Sequence, residues 1–350
     1  MFGKVLDVDI DELTQPARLG AALARVTGDA RWAHCTARHI AGGRSNLTFE
    51  VTSAAGAAIM RRPPSGELLP SAHNMGREVR VQRALAGSNV PVPEIILFDT
   101  DGDLVGVPCY VMAKVEGHVI RETVPPGYAE TSDDRRGIAD VLVDTLVELH
   151  AIDPVDVGLG DFGRPDGFLE RQLRRWNEQW ERSATHDVPE VVGLGQLLAA
   201  ALPKSQRSSI VHGDYRLDNC VMDDRDPQRI AAVLDWELSS LGDPLTDLGM
   251  LLFYWREPHE PQLSIAPTVT SQPGFPPRKY LAERYAQAAG VTLDDIEYYV
   301  AFAHFKFAVI VQGVAARVAS GSMAGQDFGS LDATVRDTAR SGLRILEQRG

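Results

Sequence analysis

Cysteine is scarce in this sequence, and its spacing fits neither a disulfide framework nor a zinc site. The 350 residues contain three cysteines, Cys35, Cys109 and Cys220, which lie far apart and are odd in number. No Cys-x-x-Cys pair and no Cys/His pair has the spacing of zinc ligands. We therefore expect reduced thiols that pack as small buried hydrophobes, as in cytoplasmic proteins.

Positive charge and long apolar runs are also in short supply. Lys and Arg total 35 against 48 Asp and Glu, a formal net charge of −13. An acidic surface repels nucleic-acid backbones and anionic lipid, so we expect neither as a partner, although a local basic groove could still hold a nucleotide. The most apolar stretch, 300–314, is interrupted by His304, Lys306 and Gln312. It is shorter than the roughly 20 residues that span a bilayer, and we interpret it as a buried helix. The acidic start of the chain is unlike a signal peptide.

The distribution of hydrophobic residues indicates two lobes. A chain of 350 residues is too long for one ordinary core, and 44% hydrophobic content is typical of a folded protein. The first third predicts a hairpin, a helix and a second hairpin, whereas helical periodicity dominates after Gly117. We predict an α+β fold with an N-terminal lobe, a linker and a larger C-terminal lobe. Their predicted bounds are 1–112, 113–118 and 119–350.

A polar segment between two strand-like runs carries the strongest chemical signal. Asp214 and Asn219 lie five residues apart after the run 209–211, and Asp235 follows the run 231–234. Phosphoryl transfer needs a carboxylate that orients the attacking hydroxyl, and oxygen ligands for the Mg²⁺ that neutralises the phosphates. Amide and carboxylate oxygens suit Mg²⁺. The order Asp, Asn, Asp is that of protein-kinase catalytic loops, so the segment predicts a magnesium-dependent kinase.

Three segments resemble the aminoglycoside phosphotransferase family: HGDYRLDN at 212–219, LDWE at 234–237 and GDPLTDLG at 242–249. Within that family they resemble the kinase domains fused to some acyl-CoA dehydrogenases, as do Leu149-His150, the stretch 305–313 and Arg317. The resemblance covers residues 36–340 and implies a protein-kinase-like fold, with a small lobe built on an antiparallel sheet and a larger, mostly helical C-terminal lobe.

The same resemblance implies roles for individual residues. Asp214 would be the catalytic base, and Asn219 and Asp235 would be the metal ligands. His212 would brace the catalytic loop, and Asp247 would hold that loop by hydrogen bonds. A purely structural role stays open for His212, Asp243 and Asp247. A histidine beside an apolar strand, such as His212, is often a satisfied core residue.

Nucleotide phosphates are expected to meet the N-terminal lobe. The turn containing Gly43, Arg44, Ser45 and Asn46 could bring backbone N–H groups to phosphate oxygens, although glycine turns also join ordinary hairpins. The strand 58–61 occupies the position of the kinase V-A-I-K strand, with an arginine in place of the lysine.

The identity of the phosphate-binding arginine is left open by the sequence. Either Arg61 or Arg62 could face the nucleotide, with Glu78 as the partner of that arginine or else on a solvated helix face. Met112 lies in the segment 110–114, whose backbone would meet the nucleotide base. Backbone contacts do not separate ATP from GTP.

Few residues in the sequence indicate which molecule would accept the phosphate. Arg171, Arg174 and Arg175 on one helix could meet an anionic substrate, or they could form a solvated face. We predict transfer of the γ-phosphate of ATP or GTP to a hydroxyl of a small molecule, with the resemblance favouring a hydroxyacyl-CoA-like metabolite. An aminoglycoside-type antibiotic kinase and a non-catalytic nucleotide-binding protein on the same fold remain alternatives. The oligomeric state stays undetermined.

Overall fold

The chain forms two compact units. The first contains the residues up to Glu116 together with Ala231–Ser239, and the second contains Gly117–Ile230 and the residues from Ser240 onwards. The predicted glycine turn at Gly43, Arg44 and Ser45 lies outside the described residues. The computed structural model describes residues 9–40, 46–64, 74–260, 263, 265–319 and 330–348.

The first unit is built on a five-stranded antiparallel sheet in the order β1-β2-β3-β5-β4. Side chains of a strand alternate between the two faces of its sheet, and Ala58 and Met60 of β3 are both fully buried on one face. Leu19 and Leu23 of α2 belong to the same core cluster. The described elements before residue 117 are α1 (Ile10–Thr14), α2 (Pro16–Thr27), β1 (Thr36–His39), β2 (Leu47–Ser53), β3 (Gly56–Arg62), α3 (Met75–Leu85), β4 (Ile95–Asp99) and β5 (Cys109–Ala113).

The opposite face of this sheet carries α3. Met75 and Val79 of α3 pack on Tyr110 and Met112 of β5 in a second buried cluster. The alternation along β3 directs Arg61 to this face.

The returning segment Ala231–Ser239 is tied to the rest of the first unit by hydrogen bonds. The Val233 N–H donates to the Pro91 carbonyl over 2.8 Å, and the Arg77 guanidinium donates to the Ser239 carbonyl over 3.1 Å. The chain therefore carries Asp235 back to the unit that contains Arg61.

The second unit is mostly helical. Its longest described helix, α9, packs against α7 and α10. This helix could cross a membrane by length and composition alone, but 78% of its most apolar window is buried in the fold. The prediction that 300–314 forms a buried helix is confirmed. The described elements from residue 117 onwards are α4 (Ser132–Ala151), α5 (Phe168–Ser183), α6 (Pro189–Ala200), β6 (Ser209–Val211), β7 (Cys220–Met222), β8 (Ile230–Val233, whose last three residues belong to the first unit), β9 (Ser240–Gly242), α7 (Leu245–Tyr254), α8 (Arg278–Ala289), α9 (Ile296–Ala319) and α10 (Leu331–Glu347).

Candidate active site

The loop that follows β6 is fixed by the carboxylate of Asp247 in the first turn of α7. The His212 N–H donates to Asp247 Oδ2 over 2.6 Å, and the Gly213 N–H donates to Oδ1 over 2.7 Å. Gly213 has a φ of +85°, a left-handed conformation that glycine adopts without a steric penalty. The predicted role of Asp247, which is to hold this loop by hydrogen bonds, is confirmed.

Asp214 lies in the same loop with one oxygen saturated and the other unused. Its Oδ2 accepts from Asn219 Nδ2 and from Arg216 Nε, each over 3.1 Å. Its Oδ1 is buried and has no hydrogen-bond partner among the described residues. Burial raises the pKa of Asp214, but Arg216 and Lys306 outweigh it, so the pKa lies below its usual value. Asp214 is therefore an ionised carboxylate with a free acceptor atom.

Arg216 joins this carboxylate to a second one. Its NH1 donates to Asp218 Oδ2 over 2.9 Å, and its guanidinium lies 4.6 Å from the centre of the Tyr254 ring. Burial raises the pKa of Asp218 despite the Arg216 charge. The chain thus places a cation between the candidate base, Asp214, and a second buried acid, Asp218.

Histidines brace the loop from within. The Asp214 N–H donates to His212 Nδ1 over 3.2 Å, and His212 is fully buried, which supports the structural role for this residue. His150 of α4 lies behind the loop, with Nε2 3.2 Å from Asp247 Oδ2 and Nδ1 2.7 Å from the Tyr285 hydroxyl. Burial lowers the pKa of His150, so this ring is neutral near neutral pH.

Lys306 of α9 is a member of the site that the sequence did not identify. Its ammonium donates to the Gly213 carbonyl and lies 5.4 Å from the centre of the Trp176 ring. Only 5% of the residue is exposed. The available signal was a lysine inside an otherwise apolar helix.

The first unit contains a separate charged cluster around Arg61 of β3. Its guanidinium lies 3.4 Å from Glu78 Oε2 and donates to Asp235 Oδ1 over 3.0 Å. Glu78 also accepts from Asn46 Nδ2 over 3.1 Å and from the Tyr110 hydroxyl over 2.8 Å. Of the predicted phosphate-side residues, Asn46, Arg61 and Glu78 are therefore brought together, and Asp235 joins them.

Burial affects the two partners of this ion pair differently. Burial raises the pKa of Glu78, and the Arg61 charge offsets only part of that rise. Burial lowers the pKa of Arg61, but Tyr110, Asp235 and Glu78 outweigh it and leave the pKa well above its usual value. Arg61 is therefore a permanent buried cation.

Arg62 is directed away from this cluster. Its NH1 donates to the Leu13 carbonyl over 2.8 Å and its Nε donates to the Pro63 carbonyl over 3.2 Å. Consecutive side chains on a strand point to opposite faces, so only one of the two arginines can face α3.

Met112 lies in β5, on the face of the sheet that carries α3. Its side chain is buried in the cluster with Met75 and Val79. Its backbone stands opposite Ile59 of β3 and Ile95 of β4 in the sheet.

Asp235 stands in a left-handed conformation, with φ +66° and ψ 61°. Asp tolerates this conformation better than most residues, and strained residues cluster at functional sites. Its side chain is 34% exposed, and Oδ2 is not used by the hydrogen bond from Arg61.

The predicted metal ligands have the chemistry that Mg²⁺ requires. Asn219 uses its amide nitrogen to bond Asp214, which leaves its Oδ1 as a hard oxygen donor, and Asp235 retains its Oδ2. No group of three or more His, Cys, Asp or Glu side chains that could hold a metal ion occurs among the described residues. Mg²⁺ that binds with nucleotide phosphates uses only one or two carboxylates, so the chemistry of each of these two oxygens, taken by itself, suits it.

Comparison with known proteins places the chain in a family. The family model described as "Phosphotransferase enzyme family" matches residues 36–281. Acyl-CoA dehydrogenase family member 11 of Rattus norvegicus is 35% identical over 307 residues, which cover 87% of this chain and 39% of the relative. The chain thus spans about two fifths of the length of the curated relatives it matches.

Solved structures share the fold. A crystal structure from Ralstonia eutropha JMP134, provisionally assigned as an aminoglycoside phosphotransferase, is 30% identical with a TM-score of 0.79, over 95% of this chain and 98% of that one. A ternary complex of an aminoglycoside phosphotransferase with ADP and hygromycin B has a TM-score of 0.58 at 14% identity, over 93% of this chain and 98% of that one. The predicted protein-kinase-like α+β fold is confirmed. The chain belongs to the phosphotransferase enzyme family, and its curated relatives include acyl-CoA dehydrogenase family members 10 and 11.

Proposed function

We propose that this protein is a magnesium-dependent small-molecule kinase that transfers the γ-phosphate of ATP or GTP to a hydroxyl of a hydroxyacyl-CoA-like metabolite. The observation that carries the proposal is the state of Asp214. Its Oδ2 is held by two donors, whereas its buried Oδ1 has no partner among the described residues. A buried acceptor atom without a partner is costly to the fold, and a substrate hydroxyl would satisfy it.

The chemistry follows from the charge state of this carboxylate. Asp214 Oδ1 accepts a hydrogen bond from the acceptor hydroxyl and orients its oxygen towards the γ-phosphorus. The new P–O bond forms as the bond to the β-phosphate oxygen breaks, and the hydroxyl proton passes to Asp214. Arg216 and Lys306 keep the pKa of Asp214 below its usual value, so the carboxylate is ionised and able to accept that proton. No covalent enzyme intermediate is needed.

The nucleotide phosphates would contact the charged cluster around Arg61 in the first unit. Arg61 supplies the positive charge expected of the kinase lysine, and Glu78 fixes its guanidinium. Asn219 Oδ1 and the Asp235 carboxylate are the oxygens that would hold Mg²⁺. When bound, this ion neutralises charge on the phosphate oxygens.

The alternative of a non-catalytic protein loses its main support from the same cluster. That alternative depended on the arginine that replaces the kinase lysine. Arg61 nevertheless pairs with Glu78, the partner expected of that lysine, and donates to Asp235. The replacement therefore changes the shape of the cation and preserves its pairing.

An anionic acceptor is supported by the cations around Asp214. Arg216 and Lys306 contact its loop, and the exposed Arg175 lies over the Trp176 ring that Lys306 also approaches. Asp214 and Asp218 offset the charges of Arg216 and Lys306, so the exposed Arg175 is the cation that would attract the phosphates of a CoA thioester and repel a polycationic aminoglycoside.

Phosphate transfer from labelled Mg-ATP and Mg-GTP to three acceptor classes tests the proposal. The acceptors are hydroxyacyl-CoA thioesters, the corresponding free hydroxy acids and aminoglycosides. We expect a labelled thioester product that Asp214→Asn does not form. Transfer to aminoglycosides alone would replace the proposed acceptor, and a folded protein that labels no acceptor and binds no nucleotide would refute the kinase assignment.

A further inference from the structure

Burying the charged side chain of Lys306 costs free energy, because the ammonium loses its hydration. It lies between Phe305 and Phe307, which are both fully buried, and only 5% of it is exposed. The described hydrogen bonds give its ammonium one acceptor, the Gly213 carbonyl, although an ammonium has three donors. An apolar side chain of similar length would fill the same space without desolvating a charge.

The surroundings compensate this charge only in part. Burial lowers the pKa of Lys306, Asp214 and Asp247 raise it, and Arg175 and Arg216 lower it again, so the net shift is downwards. The Trp176 ring at 5.4 Å adds a cation–π contact. Burial therefore disfavours the charged form of Lys306 more than its acidic neighbours favour it.

The carbonyl that accepts the Lys306 hydrogen bond lies directly before Asp214 in the loop. The Gly213 carbonyl belongs to the peptide unit that leads into Asp214. The N–H of the same glycine donates to Asp247 Oδ1 over 2.7 Å. The next N–H, that of Asp214, donates to His212 Nδ1 over 3.2 Å. With Lys306 in place, the Gly213–Asp214 peptide unit is held at both its carbonyl and its N–H, and the His212–Gly213 unit is held at its N–H.

We propose that Lys306 is a positioning residue for the phosphoryl transfer: its ammonium fixes the Gly213–Asp214 peptide so that Asp214 Oδ1 is aimed at the acceptor hydroxyl. The inference rests on the proposed kinase function. It assigns to α9 a direct part in the active site, and it explains why a charge is kept inside an apolar core helix.

Lys306→Met tests this role with Gln312→Met as the matched control. Gln312 is a buried polar residue of the same helix, but its Nε2 donates to the Ser183 carbonyl and Thr185 Oγ1, away from the catalytic loop. For Lys306→Met we expect kcat to fall about a hundredfold, with KM for the nucleotide unchanged, because a small misplacement of a catalytic group has an effect of that size. For Gln312→Met we expect both constants within about twofold of the wild type, as for a site away from the chemistry.

Two further measurements separate positioning from packing. Hydrogen exchange of the amides in 209–222 should be about tenfold faster in Lys306→Met than in Gln312→Met, because the loop loses one of its restraints. In Lys306→Ala, ethylammonium should restore part of kcat, and propanol should not. A folded Lys306→Met protein with wild-type kcat and wild-type exchange would overturn the proposal. If the wild type transfers no phosphate, the kinase assignment fails, and the exchange measurement alone still decides whether Lys306 positions the loop.

Discussion

Arg61 and Glu78 form a buried ion pair in the first unit, with 3.4 Å between a guanidinium nitrogen and Glu78 Oε2. Their side chains are 10% and 1% exposed. At such burial each charge depends on its partner, because removing one leaves the other desolvated and unpaired. The pair therefore couples the stability of this unit to the cation proposed to bind phosphate.

We expect Arg61→Gln and Glu78→Gln each to lower the free energy of unfolding by about 3 kcal/mol. The double variant should lose less than the sum, with a coupling energy of about 1–3 kcal/mol in a denaturant-based mutant cycle. Arg61→Gln should also weaken Mg-ATP binding about tenfold, as for loss of one charge-assisted contact. Arg62→Gln is the control, because Arg62 bonds the Leu13 carbonyl, and its nucleotide affinity should equal that of the wild type. Additive losses in the cycle would show that the pair is not energetically coupled.

Asp214→Asn should abolish transfer and spare nucleotide binding. The substitution keeps the size of the side chain but removes the negative charge that receives the hydroxyl proton, so kcat should fall by about a thousandfold or more. Titration calorimetry with Mg-ATP should give an unchanged affinity. An Asp214→Asn enzyme that turns over at the wild-type rate would remove Asp214 from the role of base.

Protonation of the buried His304 should make the free energy of unfolding depend on pH. Its Nδ1 lies 2.8 Å from the Val300 carbonyl, and burial lowers its pKa from 6.5 to about 4. The neutral ring is favoured in the folded protein, so its contribution is complete above pH 6.5 and is lost as the pH falls towards 4. The loss is about 3 kcal/mol.

His304→Met removes this protonation, so the free energy of unfolding should change less between pH 7 and pH 4 than it does in the wild type. Denaturant melts across this pH range measure the difference. His259, which is 78% exposed, provides the control, and His259→Ala should follow the wild-type curve. Parallel curves for the wild type and His304→Met would show that His304 is not responsible for the acid sensitivity.

The sequence predicted elements best where local signals mark their ends. Helix α8 follows Pro277 and ends before Gly290, and both residues mark helix boundaries in the sequence. Helix α7 was not predicted, because all ten of its residues are buried and no amphipathic period is visible. Strand β1 was missed because it is a short edge strand with alternating exposed residues.

In the candidate site, too, residues in a recognisable motif could be assigned from the sequence, whereas contacts made by tertiary folding could not. Asp247 could be assigned to the loop because its segment carries a recognisable motif, and the hydrogen bonds to His212 and Gly213 confirm the assignment. Lys306 reaches Gly213 across 93 residues of sequence, a contact that only tertiary folding creates. The strand alternation that separates Arg61 from Arg62 needed the sheet register. The catalytic role of Asp214 and the metal-binding roles of Asn219 and Asp235 stay predictions.

Asp235 allows the metal-binding prediction to be tested without disturbing the backbone. Its φ of +66° favours Asp and Asn over Ala, so Asp235→Asn retains the conformation and removes only the charge. We expect Asp235→Asn to weaken nucleotide binding about tenfold in the presence of Mg²⁺ and to leave the weaker binding in EDTA unchanged, because a single charge-assisted ligand is lost. Asp235→Ala should show the same loss of affinity together with lower stability from the strained backbone. Calorimetric titrations of the three proteins with ATP, each with Mg²⁺ and with EDTA, measure both effects. An Asp235→Asn protein whose affinity depends on Mg²⁺ as strongly as that of the wild type would exclude this carboxylate as a magnesium ligand.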